Sequence, residues 1–106
     1  MAWIVLLLAG LFEVVWAFTM KQSEGFTRLG PSLVTLGAVA ASFILLAAAM
    51  RSLPLGTAYT VWTGIGAVGA FVLGIAVLGE GVSPLRILAA VMIVGGVVLM
   101  KLATPH

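Results

Sequence analysis

An all-α, membrane-embedded architecture of four spanning helices follows from three properties of the chain. Hydrophobic residues fill 63% of the 106 positions and charged residues only 8%, where a soluble domain carries about 25% charged residues. Mean hydropathy is +1.32. Apolar stretches long enough to cross a bilayer recur four times, separated by short segments that hold most of the charge.

The first helix is expected over residues 3–20, inside MAWIVLLLAGLFEVVWAFTM. A cleavable signal peptide fits this stretch poorly. It lacks a positive n-region, Glu13 interrupts the apolar run, and three more such runs follow. The loop KQSEGFTR, residues 21–28, carries most of the polar residues outside the helices. A second helix is expected over residues 31–50, opening at Pro31, a good first-turn residue. RSLP then makes a tight connection to a third helix over residues 55–78. GEGVSP, with Gly and Pro as punctuation, leads to a fourth over residues 85–102. Short connections make neighbouring helices antiparallel and bring both termini to one side.

Several function classes drop out at this point. Five basic residues scattered singly make no basic stripe, so nucleic acid is not implied. Cysteine is absent, which removes disulfide and thiolate chemistry. The one histidine, His106, reads as solvated tail, and no metal site is evident. There is no phosphate-binding loop and no nucleophile with a base, so neither an enzyme nor a cofactor is expected.

Orientation is the informative silence. Cytoplasmic loops normally hold the excess of Lys and Arg. Here one side holds Lys21, Arg28 and Arg86, and the other holds Arg51, Lys101 and the N-terminal amine. Such balance predicts dual topology, with the same chain inserting both ways round. Two inverted copies then supply the inverted repeat around which many transporters are built.

Glu13 is the only acid inside the spans; Glu24 and Glu80 fall in loops. An intramembrane charge costs several kcal/mol unless it is paired, hydrated or protonated, and it is functional by default. In an inverted dimer two Glu13 carboxyls would face each other and exchange protons as a coupled pair. A cation entering between them displaces protons, and protons displace the cation. The structural alternative is a neutral carboxyl hydrogen-bonded to a neighbouring helix.

Around Glu13 the polar and aromatic candidates are few. Trp16 lies one turn on, on the same face. Tyr59 and Trp62 share a face of the third helix and suit a cation, or ordinary packing. Ser42 either bonds back to the carbonyl four residues earlier or lines a cavity, and Thr57, Thr60 and Thr63 invite the same local bond. Among the third-helix glycines, Gly64, Gly66 and Gly69 either form a hinge or let helices pack closely. Ala89, Gly95 and Gly96 make a small-residue face on the fourth helix, a plausible dimer seam.

EVVWAFTMK at residues 13–21, GFTRLGPS at 25–32 and LPLGTAYTVWTGIGAVG at 53–69 resemble the small multidrug resistance family over essentially the whole chain. Trp16 and the TGIGAVG run resemble its guanidinium-exporter branch. The resemblance implies an antiparallel, dual-topology homodimer in the bacterial inner membrane. It implies proton-coupled antiport at Glu13 from both subunits, with Trp16, Ser42, Tyr59 and Trp62 shaping the site. The third-helix glycines would form a bend, and the fourth helix would hold the dimer, although Ala89 stands where many members have Gly.

Guanidinium is planar, delocalised and weakly hydrated, and it suits carboxylates, hydroxyls and aromatic faces. The sequence therefore predicts a proton/guanidinium antiporter. The alternatives are a multidrug exporter of quaternary ammonium or other lipophilic cations, and a non-transporting membrane subunit or passive pore.

Overall fold

A computed structural model describes residues 2–104; Met1, with its amine, and His106 lie outside the described residues. Four helices make up the fold: α1 (Ala2–Gln22), α2 (Leu29–Ala49), α3 (Leu55–Ala76) and α4 (Pro84–Ala103). Each has 20 to 22 residues, about 30 Å at 1.5 Å per residue, the thickness of a bilayer core. All four are apolar enough to cross a membrane.

The connections have identifiable causes. Ser23 organises the first: its hydroxyl accepts from the Phe26 N–H at 3.1 Å, and its carbonyl accepts from the N–H groups of Thr27 and Arg28. Glu24, Gly25 and Phe26 all adopt left-handed backbone there, which makes the reversal tight. The second connection is anchored by buried Leu53, whose N–H returns to the Ala49 carbonyl at 3.0 Å. At the end of α3, Gly79 has φ +69°, and the chain folds back so that the Glu80 N–H reaches the Gly74 carbonyl at 2.9 Å. Ser83 then caps α4 by accepting the Arg86 N–H, with Pro84 in the first turn.

The helices do not close into a bundle. α1 is central, with α2 and α3 packed along it, while α4 leans mainly on α3. The Cα extents are 43 × 34 × 16 Å, close to four helices in a row at roughly 9 Å spacing. The radius of gyration, 14.5 Å, exceeds the ~13 Å of a compact domain of this size. Leu6, Ala9, Leu46, Ala58, Val61 and Trp62 form the core where α1, α2 and α3 meet. No residue of α4 is buried.

Small residues set the helix spacing. A Cβ at Gly10 would collide with Ile65, one at Gly69 with Val14, and one at Gly64 with Val97. Close approach therefore depends on glycine at both the α1–α3 and α3–α4 contacts. Near the loop end of α1 and α2 a polar pin joins the two helices: the Thr19 and Thr35 hydroxyls lie 2.6 Å apart, and Thr35 also donates to the Pro31 carbonyl.

Candidate functional site

Glu13 stands midway along α1, where α1 meets α3. Its carboxyl packs against the backbone of Gly66; a Cβ at residue 66 would overlap the carboxyl carbon and Oε1. Glycine thus provides the seat for the acid. Oε1 is buried and has no hydrogen-bond partner among the described residues. A buried carboxyl oxygen without a partner is expensive in any protein interior. This chain half-buries the acid and leaves its inner oxygen, Oε1, without a partner among the described residues.

One turn before Glu13 lies a buried polar frame. Ser42, fully buried on α2, donates to the Ala9 carbonyl of α1 at 2.7 Å. It also accepts the Trp62 Nε1–H from α3 at 2.9 Å. One hydroxyl thus ties three helices together and fixes the Trp62 indole. The local bond open to Ser42 is not the one formed: the acceptor is Ala9 across the interface, not the carbonyl four residues earlier. Its proton is committed to Ala9, which leaves one lone pair of the Ser42 hydroxyl beyond the one the indole uses.

Trp62 continues the frame outward. Tyr59 stands 5.7 Å from it, ring centroid to centroid, at an interplanar angle of 43°, and Phe43 stands 5.3 Å away at 52°. Both are tilted, edge-biased arrangements of the kind aromatic pairs prefer. Trp62 is 5% exposed and Tyr59 54%, so the aromatic series runs from the core to an open surface. Trp16 is half-buried against the core, and its Nε1–H also lacks a partner among the described residues.

Of the residues singled out from sequence, Ser42, Tyr59 and Trp62 come together directly. Glu13 joins them through Gly66, one turn beyond Trp62 on α3. Gly64 and Gly69 sit at packing points against Val97 and Val14, and α3 runs through all three glycines as one unbroken helix. Ala89, Gly95 and Gly96 lie exposed on α4, with open space around both glycines. Thr57 faces the Thr104 hydroxyl at 3.1 Å.

Sequence reasoning missed the Ala9 carbonyl, the Phe43 ring and the role of Gly66 as a seat. Ala9 carries no side-chain signal for its carbonyl. Phe43, an aromatic next to Ser42, was the one detectable hint.

Chemically, the arrangement offers an acceptor-only carboxylate, two aromatic faces with polar edges, and an indole N–H seeking an acceptor. Such a set suits a small cation or a proton.

Comparison with known proteins identifies the family. Residues 1–94 match the family model described as Small Multidrug Resistance protein. The chain is 58% identical over 104 residues to the guanidinium exporter of Citrobacter freundii, covering 98% of this chain and 99% of that one. It is 60% identical to the guanidinium exporter of Yersinia pestis, with coverage of 98% and 100%. The guanidinium exporter of Escherichia coli (strain K12) is 55% identical, with coverage of 98% and 99%. Four spanning helices and this match make the chain a multi-pass membrane protein of the small multidrug resistance family.

Proposed function

We propose that the chain is a proton-coupled guanidinium exporter, working as an inverted homodimer in the bacterial inner membrane. The unpartnered Glu13 carboxyl carries this reading. Two such carboxyls, one from each inverted copy, complete a site that one chain leaves open. A guanidinium ion satisfies both with charge-assisted bonds and stacks on the Trp62–Tyr59 frame. Relatives named guanidinium exporters support the substrate.

The remaining parts extend the same reading. α4 buries nothing within the chain and carries Ala89, Gly95 and Gly96 on its surface, which suits a seam between copies. Gly64, Gly66 and Gly69, which lie in one unbroken helix in the single chain, become the bend at which the two subunits of the dimer differ, each adopting the other's conformation as the site turns. Alternating access is this exchange between two equivalent inverted dimers. Balanced charge at the two ends, Lys21, Arg28 and Arg86 against Arg51 and Lys101, lets both insertions occur.

The central test is Glu13→Gln in proteoliposomes loaded against a pH gradient. Guanidinium flux and proton movement vanish together, while crosslinking still captures the dimer. Surviving transport would remove Glu13 from the shared site. In wild type, guanidinium binding weakens as pH falls, because protons and the cation compete for the same carboxylates. Flux of a large aromatic cation without guanidinium flux would overturn the substrate. Cysteine labelling at the termini checks orientation, and a single labelled population would refute dual insertion.

A further inference from the structure

Beyond Glu13 the groove between α1 and α3 widens into a cleft of about 360 Å³. Its inner end is lined by Ala17, one turn past Glu13 on α1, and by Ala67, next to the Gly66 seat. Ala70 and Gly74 keep its α3 wall low, and Lys21, Glu80 and Arg86 stand at its mouth. The space runs from a charged loop towards the acid.

The mouth is built rather than incidental. Backbone pairing of Glu80 with Gly74 holds the loop against α3, and the Glu80 carboxylate lies over Gly74, where a Cβ would displace it. The Arg86 guanidinium sits over the Phe71 ring, 5.1 Å from its centroid, and donates to the Gly81 carbonyl. An aromatic face, a carbonyl and a carboxylate are the complement of a planar, delocalised cation. The group already docked on the ring and the Gly81 carbonyl is itself a guanidinium, while the Glu80 carboxylate lies over Gly74.

We propose that the α1–α3 cleft is an entrance to Glu13 and that Phe71 and Gly81, with Glu80 on the same cleft wall, form an outer guanidinium site at its mouth, where the Arg86 side chain holds the ring and the carbonyl until the free ion displaces it. This rests on the guanidinium reading above for its ligand, but not for its route. A tethered group competes at an effective concentration of order millimolar, so Arg86 limits occupancy of the mouth when free guanidinium is scarce. In an inverted pair the two entrances face opposite sides of the membrane, and the difference in conformation between the subunits leaves one of them open at a time.

The experiment uses a cysteine introduced by Ala70→Cys, since the chain has no native cysteine. A small, membrane-impermeant cationic thiosulfonate is applied to the dimer in proteoliposomes, with Ala67→Cys as a second reporter deeper in the cleft. Both cysteines react from water, and Arg86→Ala speeds the reaction several-fold. In the Arg86→Ala background, guanidinium slows labelling, and adding Phe71→Leu abolishes that protection. The last arm separates a site from bulk electrostatics, because Phe71 carries no charge. Unreactive cysteines at both positions overturn the entrance. Protection unchanged by Phe71→Leu overturns the outer site. Guanidinium export without any protection rejects the outer site alone; protection without export supports it while rejecting the transport reading.

Discussion

Gly66→Ala is the sharpest perturbation of the site, because it adds one methyl where the acid sits. The new Cβ would stand 2.7 Å from Cγ of Glu13 and closer still to the carboxyl. Carbon atoms in contact need about 3.5 Å, so Cγ retreats by roughly 0.8 Å and the carboxyl tip by more. The obstacle is the far end of a flexible side chain, so the helix contact survives at modest cost. Function bears the change instead: misplacing a reacting group by about 1 Å costs up to ~10²-fold. We expect guanidinium affinity to fall ~10- to 100-fold, or about 1.4–2.8 kcal/mol, with the dimer intact. Gly69→Ala reverses the pattern. Its methyl meets stiff, β-branched Val14, so stability falls by about 1–3 kcal/mol while affinity holds in the folded fraction. Gly56→Ala, with open space around residue 56, is the control. Guanidinium titration of purified dimer, followed by tryptophan fluorescence, reads affinity, and flux in proteoliposomes reads turnover. Wild-type affinity in Gly66→Ala would refute the seat, and lost turnover at unchanged affinity would assign Gly66 to the bend alone.

Three further outcomes are expected. Ser42→Ala leaves the buried Trp62 N–H without its acceptor, costing about 1–3 kcal/mol, and shifts the Trp62 emission; unchanged melting and emission would show the frame to be dispensable. Thr35→Val breaks the 2.6 Å pair with Thr19, and a double-mutant cycle with Thr19→Val gives a coupling of about 0.6 kcal/mol and at most ~2 kcal/mol in lipid; zero coupling would show that each hydroxyl is satisfied by its own helix. Gly96→Leu meets no neighbour within the chain, so helicity persists while crosslinked dimer declines; an undiminished dimer would move the seam elsewhere.

Much of the fold was legible because the bilayer admits so few solutions. Backbone groups in hydrocarbon must be satisfied within a helix, so four apolar runs of spanning length meant four helices. Glu13 stood out for the same reason, as one acid among apolar neighbours. Trp62 and Tyr59 were legible as partners through their three-residue spacing. The roles of glycine were not. Gly64, Gly66 and Gly69 read equally as hinge or packing surface, since a missing side chain has no chemistry to reveal its neighbour. The partner of Ser42 was not legible for a related reason: a serine hydroxyl bonds locally or across helices, and only the position of Ala9 decides.

Composition and periodicity alone determined a membrane protein with four helices, an embedded acid and balanced end charges, because these depend on transfer free energy and on spacing along one chain. Tertiary structure decided the rest: α1 at the centre rather than at an edge, α4 outside the core, the glycine seat beneath Glu13, and the Ser42 hydroxyl joining three helices. Each of those depends on which helix faces which. Between apolar helices in lipid, that choice rests on the fit of small residues and a few hydrogen bonds, and neither is visible until the partner face is known.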